Sequence, residues 1–194
     1  MTLAISSPVA PPPAQFTPDE LLAMPDAVNY ELVDGRLVER HMGLESSEVA
    51  VRVLLLLGPH VVGKGVGRLF GADAGYRCFP DDPAKVRTPD LSFIRTGRLP
   101  GERAPAGHCP IAPDLAVEVV SPNDLMYEVD DKVLEYLGAG VALVWVVNPR
   151  TRTVRVHRPR ESPLGPISLL GGTDAIGGED VIPGFSCPVA EFFG

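Results

Sequence analysis

The chain has 194 residues, 45% of them hydrophobic and 22% charged, which is typical of one soluble domain with a substantial core. Its net charge of −8 argues against a protein that coats nucleic acid by bulk electrostatics. No run approaches the ~20 apolar residues of a bilayer span, and the N-terminus lacks the pattern of a signal peptide. Three widely spaced cysteines indicate reduced thiols. We therefore expect a cytoplasmic protein that does not contact a membrane.

The chain divides into a short lead-in and one domain. Residues 1–15 are rich in Pro, Ala and Ser, which predicts a disordered tail. Residues 16–194 show no internal repeat and no second linker, so we expect a single domain there.

Periodicity and turn residues predict the elements of this domain in chain order. They are a helix over 17–24 capped by Thr17, a β-hairpin over 30–40 turning at Asp34-Gly35, a long helix from Ser46 to about Val61, strands near 66–71, 74–79, 88–95 and 114–120, a helix within 123–140 with an Asn or Asp cap, strands over 141–149 and 153–158, and weaker strands at 166–170 and about 180–182. This order predicts an α/β (α+β) fold, a mixed sheet flanked by helices with an N-terminal hairpin.

Two acidic residues accompany the predicted central strands. Asp90 follows a proline at the start of one strand, and Glu118 lies within the apolar run 115–120 of another. Because neighbouring strands lie only ~4.7–4.9 Å apart, the two carboxylates can meet if their strands are adjacent. Unpaired, they would repel each other, whereas Mg²⁺ or Mn²⁺ binds such oxygens. We predict a divalent ion shared by Asp90 and Glu118; an arginine partner or a wet sheet edge are the alternatives.

Lysine is rare in this chain, whose basic residues are mostly arginine. Lys132 stands on the helix that follows Glu118. A lysine can act as a point charge on phosphate or handle a proton, which arginine cannot. The alternative is a surface ion pair with Glu128, four residues earlier.

Five segments in order carry a family resemblance: YELVDGRLVE, RTPDLSFI, APDLAVEVVSPND, DKVLEYLGAGV and VWVVNP. They resemble the Uma-two family of restriction endonucleases, within the PD-(D/E)xK nuclease superfamily, from about residue 17 to about residue 158. The resemblance implies a restriction-endonuclease-like core with a metal-dependent phosphodiesterase site at one sheet edge. By position, Asp90 and Glu118 would be metal ligands, and Glu31 would complete the metal shell.

The resemblance also locates the lysine. The superfamily's usual strand lysine falls at Val120 here, and Lys132 matches the family's displaced lysine on the next helix. One departure is at Ser46 and Ser47, where family members often carry a histidine. The four histidines of this chain show no metal-ligand spacing, and we expect surface or loop positions for them.

The expected function is therefore Mg²⁺- or Mn²⁺-dependent hydrolysis of DNA phosphodiester bonds by Asp90, Glu118, Lys132 and Glu31. Arginine clusters over 87–103 and 150–160 are candidate phosphate contacts, or else ordinary solvated charges. The partners would be DNA and a second copy in a homodimer. Two alternatives stay open: a catalytically inactive nuclease fold that binds nucleic acid or protein, and a structural dimerisation protein using the hairpin and the C-terminal PVAEFFG.

Overall fold

Three α-helices and ten strands make up the regular structure of the described residues, 15–41, 43–159 and 167–194, in this computed structural model. The helices are α1 Pro18–Ala23, α2 Leu44–Lys64 and α3 Met126–Gly138. The strands are β1 Tyr30–Val33, β2 Arg36–Glu39, β3 Gly67–Gly71, β4 Leu91–Arg95, β5 Leu115–Val119, β6 Leu143–Asn148, β7 Thr153–His157, β8 Ser168–Gly171, β9 Ala175–Gly177 and β10 Ser186–Pro188. The predicted tail over 1–15 lies, except for its last residue, outside the described residues.

A six-stranded mixed sheet in the order β3-β4-β5-β6-β7-β8 forms the centre. Among the described strands of this sheet, β5 and β6 run parallel and the other neighbours are antiparallel. A parallel pair needs a crossover connection, and α3 provides it between β5 and β6. The sheet confirms the predicted fold class, a mixed sheet flanked by helices.

The alternation of side chains along β5 divides the core into two layers. Leu115, Val117 and Val119 point to the face covered by α2, where they join the larger apolar cluster. Ala116 points to the opposite face, where it packs with Val133 and other residues of the smaller cluster under α3. Both faces of β5 are buried, so the Glu118 side chain, near the end of this strand, has little access to water.

Helix α2 is long and apolar enough to cross a bilayer by length and composition, with a mean hydropathy of 1.3 over its best window. One such helix is weak evidence for a membrane span, since core helices meet the same criterion. Here Val49, Val53, Leu57 and Val61 are buried against the sheet, four positions on one helix face. Core packing accounts for the apolar character of that face.

The predicted N-terminal hairpin is present as β1 and β2. Asp34 and Gly35 form its turn with φ of 50° and 72°, both left-handed, as a two-residue hairpin turn requires. Leu32 pairs with Val86, so β1 is held beside the segment that leads into β4. This attachment brings Glu31 of β1 to the edge of the central sheet.

Three sequence predictions about local structure are wrong. Residues 74–79 form no strand, because Tyr76 makes isolated bridges to Arg87 and Cys109 in a segment bounded by glycine and prolines. Residues 180–182 form a turn that buries Val181 and Ile182, and β9 pairs with β10 on either side of it. Helix α3 is not capped by Asn or Asp: its N-cap is Leu125, which makes no side-chain cap.

Candidate active site

Asp90 and Glu118 stand at the same edge of the central sheet. Asp90 directly precedes β4, whose first residue, Leu91, pairs with Val117 of β5, and Glu118 follows Val117 along β5. Asp90 Oδ2 also accepts a hydrogen bond of 2.7 Å from the Val119 backbone N–H, which fixes the aspartate at this edge.

Lys132 joins the two glutamates of the site from α3. Its Nζ lies 3.2 Å from Glu31 Oε2 and 3.6 Å from Glu118 Oε2. The alternative pairing with Glu128 is therefore not the arrangement of the structure. Tyr136, one turn further along α3, is fully buried and donates a 2.7 Å hydrogen bond to Glu118 Oε1. The Tyr136 hydroxyl therefore orients Glu118.

Glu31 is held by three donors from two segments of the chain. Its Oε1 accepts from the Thr88 N–H at 2.8 Å, and its Oε2 accepts from Arg87 at 2.9 Å and faces Lys132. Arg87 is held in turn by Glu135 of α3 at 2.6 Å. The result is a continuous charge network that joins the hairpin, the approach to β4, and α3 around one carboxylate.

Burial is the largest influence on the carboxylates of the site. Burial raises the pKa of Glu118 to about 7; the Asp90 and Glu31 carboxylates add to this rise, and Lys132 opposes it. Burial likewise raises the pKa of Asp90. The pKa of Glu31 is lowered despite its burial, because Lys132 and Arg87 stabilise its charge.

Lys132 stays protonated. Burial acts to lower its pKa, but the Glu118 and Glu31 carboxylates outweigh burial and raise the pKa above its ordinary value. Of the two properties that the sequence suggested for this lysine, the structure favours the point charge over proton transfer.

All four predicted site residues line one open cavity of about 430 Å³. The wall also includes residues that the sequence did not single out as site residues: Arg40, His41, Arg87, Asp124 and Asp131. Arg40 lies 3.8 Å from Asp90. Two of these residues belong to segments already quoted from the sequence: Arg87 begins RTPD, which ends at Asp90, and Asp124 ends EVVSPND, which begins at Glu118. Their closeness in sequence to the predicted metal ligands could have identified them.

Other charged residues stabilise the fold. Asp114, at the end of β5 remote from Glu118, forms a 2.8 Å ion pair with Arg98 and accepts a hydrogen bond from the Arg95 backbone N–H. Arg155 pairs with Asp130 at 2.8 Å. The arginine clusters are thus largely engaged within the chain, and Arg160 lies outside the described residues.

Ser46 stands where family members often carry a histidine, and it contacts a second serine. Ser46 Oγ lies 2.9 Å from Ser121 Oγ, a buried pair that ties the start of α2 to the turn after β5. Histidines 60 and 108 lie away from the site cavity, and His157 is buried in the sheet, not on the surface as expected. His41 is the exception, because it lies on the cavity wall.

The residues present fit a divalent cation. No group of three or more His, Cys, Asp and Glu side chains poised around one metal position occurs among the described residues. Magnesium does not need one, since it keeps several waters and takes one or two carboxylates together with substrate phosphate. Asp90 and Glu118 supply two carboxylates, and burial raises the pKa of both.

A central mixed sheet flanked by helices defines an α/β protein, and acidic residues and a lysine line a cavity at one edge of this sheet. A family model, "Uma2: Putative restriction endonuclease", matches residues 18–190. The chain therefore belongs to the Uma2 family, and the resemblance noted in the sequence is confirmed. The family description is that of a nuclease, a hydrolase that acts on nucleic acid.

Comparison with solved structures supports the same fold. The chain is similar to a "putative nuclease belonging to DUF820" from Anabaena variabilis ATCC 29413, with a TM-score of 0.76 and 21% sequence identity. The match covers 92% of this chain and 97% of the other. Comparison with curated proteins gives no match. At this level of identity the structural match establishes the fold.

Proposed function

We propose that this protein is a divalent-metal-dependent endonuclease that hydrolyses phosphodiester bonds of DNA. The observation that carries the proposal is that Asp90, Glu118 and Lys132 line one open cavity, with Lys132 Nζ 3.6 Å from Glu118 Oε2. Family membership supports the reaction class.

Each residue has a distinct part in this proposal. Asp90 and Glu118 would hold Mg²⁺ or Mn²⁺, which supplies a water of lowered pKa and neutralises charge on the phosphorane. Lys132 would place a fixed positive charge beside the transferred phosphate. Glu31 would anchor Lys132, since its two oxygens already accept donors. The prediction that Glu31 is also a metal ligand stays a prediction, which a metal titration of Glu31→Gln would test.

Plasmid cleavage across magnesium, manganese and chelator tests the proposal. We expect nicking that requires the metal and falls by at least about 100-fold in Asp90→Asn and Lys132→Ala. Matched controls are Asp19→Asn, in the exposed first turn of α1, and Lys64→Ala, at the exposed end of α2. Equal cleavage by Asp90→Asn and by the parent would refute the site assignment.

A second candidate is a nuclease fold that binds nucleic acid without turnover. One observation favours it: Tyr136 and Lys132 already contact the Glu118 oxygens, so these oxygens have partners in the absence of a metal. DNA binding with no cleavage in any of the metals above would support this candidate and exclude the first.

We propose further that the protein is cytoplasmic and forms a homodimer. Of the C-terminal aromatic residues, Phe192 is not available for a dimer interface, since it is buried and its ring lies 6.0 Å from that of Trp145. A better surface is the outward stripe of α2, formed by Leu44, Val51, Leu55 and Val62, all exposed.

A further inference from the structure

His41 and Asp124 form a pair that the sequence did not connect, 83 positions apart. His41 Nδ1 lies 3.2 Å from Asp124 Oδ1. A carboxylate only accepts, so Nδ1 carries the proton and donates it to Asp124. This choice of tautomer leaves Nε2 as the ring nitrogen for any further contact.

A set of hydrogen bonds from the turn after β5 fixes both partners. Asp124 Oδ2 accepts a 2.7 Å hydrogen bond from the Ser121 N–H. Ser121 Oγ donates to the His41 carbonyl at 3.2 Å and contacts Ser46 Oγ at 2.9 Å. Ser121 and Ser46 are both buried, so the loop carrying His41 is tied to the start of α2 and to the strand end that carries Glu118.

The pair lies at the mouth of the candidate active site. His41 and Asp124 both line the 430 Å³ cavity that contains Asp90, Glu118 and Lys132. The His41 side chain is 42% exposed, which makes its ring accessible to a ligand in the cavity. An adjacent cleft of about 220 Å³ is also lined by His41, together with Arg40 and Asp90. His41 therefore stands where a chain of phosphates crossing the site would pass.

We infer that His41, oriented by Asp124, contacts a phosphate group of the nucleic acid bound at this site. This contact requires the doubly protonated ring: Nδ1–H donates to Asp124, Nε2–H donates to a non-bridging phosphate oxygen, and the Asp124 carboxylate stabilises the positive charge that the second proton brings. Asp124 is a positioning residue, since it acts through His41. This inference rests on the proposed function only for the identity of the phosphate as that of DNA.

Two measurements on the full chain test the inference. In the first, ¹³C-labelled histidine resonances are followed as a short DNA duplex is added in Ca²⁺, with His41→Gln used for assignment. We expect the His41 signal to shift. The His60 signal should not shift, because His60 lies near the C-terminal end of α2, where it contacts the Pro183 carbonyl.

The second measurement is single-turnover cleavage. His41→Gln should lower the rate by about 10- to 100-fold, the worth of a hydrogen bond to a charged group. The metal-induced rise in melting temperature should be unchanged, because His41 binds no metal. Asp124→Asn should lower the rate less than His41→Gln, and His60→Gln should match the parent.

Failure of this inference is distinguishable from failure of the proposed function. A parent that cleaves DNA while His41→Gln stays within twofold of it overturns the inference alone. A parent that never cleaves removes the proposed function, and the histidine spectra then decide: a DNA-induced shift of His41 supports the contact, and an unchanged signal refutes it.

Discussion

At the scale of single residues, the site places three carboxylates at a poorly hydrated edge of the sheet, where neighbouring carboxylates share the same cationic side chains. Glu31 shares Arg87 with Glu135, and Lys132 serves both Glu31 and Glu118. Removing one partner from a buried ion pair costs far more than the pair contributes, because the remaining charge stays in low dielectric. Lys132 is therefore expected to contribute to stability in addition to its proposed part in catalysis.

Lys132→Met should destabilise the metal-free protein. The substitution keeps the side-chain length but leaves Glu31 and Glu118 without their shared ammonium. We expect a loss of about 2–4 kcal/mol in the free energy of unfolding by urea, near the cost of breaking a buried pair. Lys64→Met, at an exposed position, should change it by less than about 0.5 kcal/mol. An equal effect of the two substitutions would contradict the ion pairs of Lys132.

A second residue-scale prediction concerns His157 at the end of β7. Burial lowers its pKa to about 4, from an ordinary 6.5, and Arg155 adds to this effect. The folded state thus binds fewer protons than the unfolded state between these values, so stability is full above pH 6.5 and is lost as pH falls towards 4. His157→Phe should show a shallower decline of unfolding free energy over this window. His60→Gln should follow the parent, and identical slopes for parent and His157→Phe would contradict the prediction.

At the scale of elements, α2 has two different faces. Its inner face packs in the core, whereas Leu44, Val51, Leu55 and Val62 form an outer stripe without a partner in the described chain. The sequence intervals between the residues of the stripe are the same when read from either end. A second α2 can therefore pack antiparallel on it about a twofold axis. Such pairing sets the acidic start of the helix, with Glu45 and Glu48, near the partner helix's Lys64 end.

Leu55→Glu should dissociate the dimer, because it places a charge at the centre of the stripe. We expect light scattering to give a mass near 20.7 kDa for this variant and twice that value for the parent. Leu22→Glu, an exposed apolar position on α1, is the matched control and should leave the dimer intact. A parent that is monomeric at high concentration would exclude this interface.

At the scale of the whole molecule, the charge balance bears on how the proposed DNA substrate would be held. The chain is acidic overall, and many arginines are paired within it, as Arg98 is with Asp114 and Arg155 with Asp130. Little free positive surface is then available for non-specific binding to phosphates. The bound cation at Asp90 and Glu118 would supply the local attraction.

DNA binding should therefore depend on a divalent ion. In chelator and about 0.15 M salt we expect weak binding by fluorescence anisotropy, with Ca²⁺ raising the affinity at least about tenfold. Asp90→Asn should remove the Ca²⁺-dependent increment, and Asp19→Asn should keep it. Affinity that is high in chelator and unaffected by Asp90→Asn would show that DNA binds elsewhere.

The sequence by itself determined most of the strand and helix order and the hairpin turn at Asp34-Gly35, because both depend on local periodicity and backbone preference; the strands predicted at 74–79 and 180–182 are the exceptions. It also indicated Asp90, Glu118 and Lys132, since a charge in or after a buried strand is conspicuous. A short segment of sequence is enough to show each of these features.

Only the tertiary structure decided which partners these charges meet. The saturation of Glu31 by Thr88, Arg87 and Lys132 joins three elements, and the pairing of His41 with Asp124 spans 83 positions. Such contacts depend on how the hairpin and α3 close over one sheet edge, which no local pattern encodes. The failure at 180–182 has the same origin: its apolar residues are buried by a turn, and burial alone does not distinguish a turn from a strand.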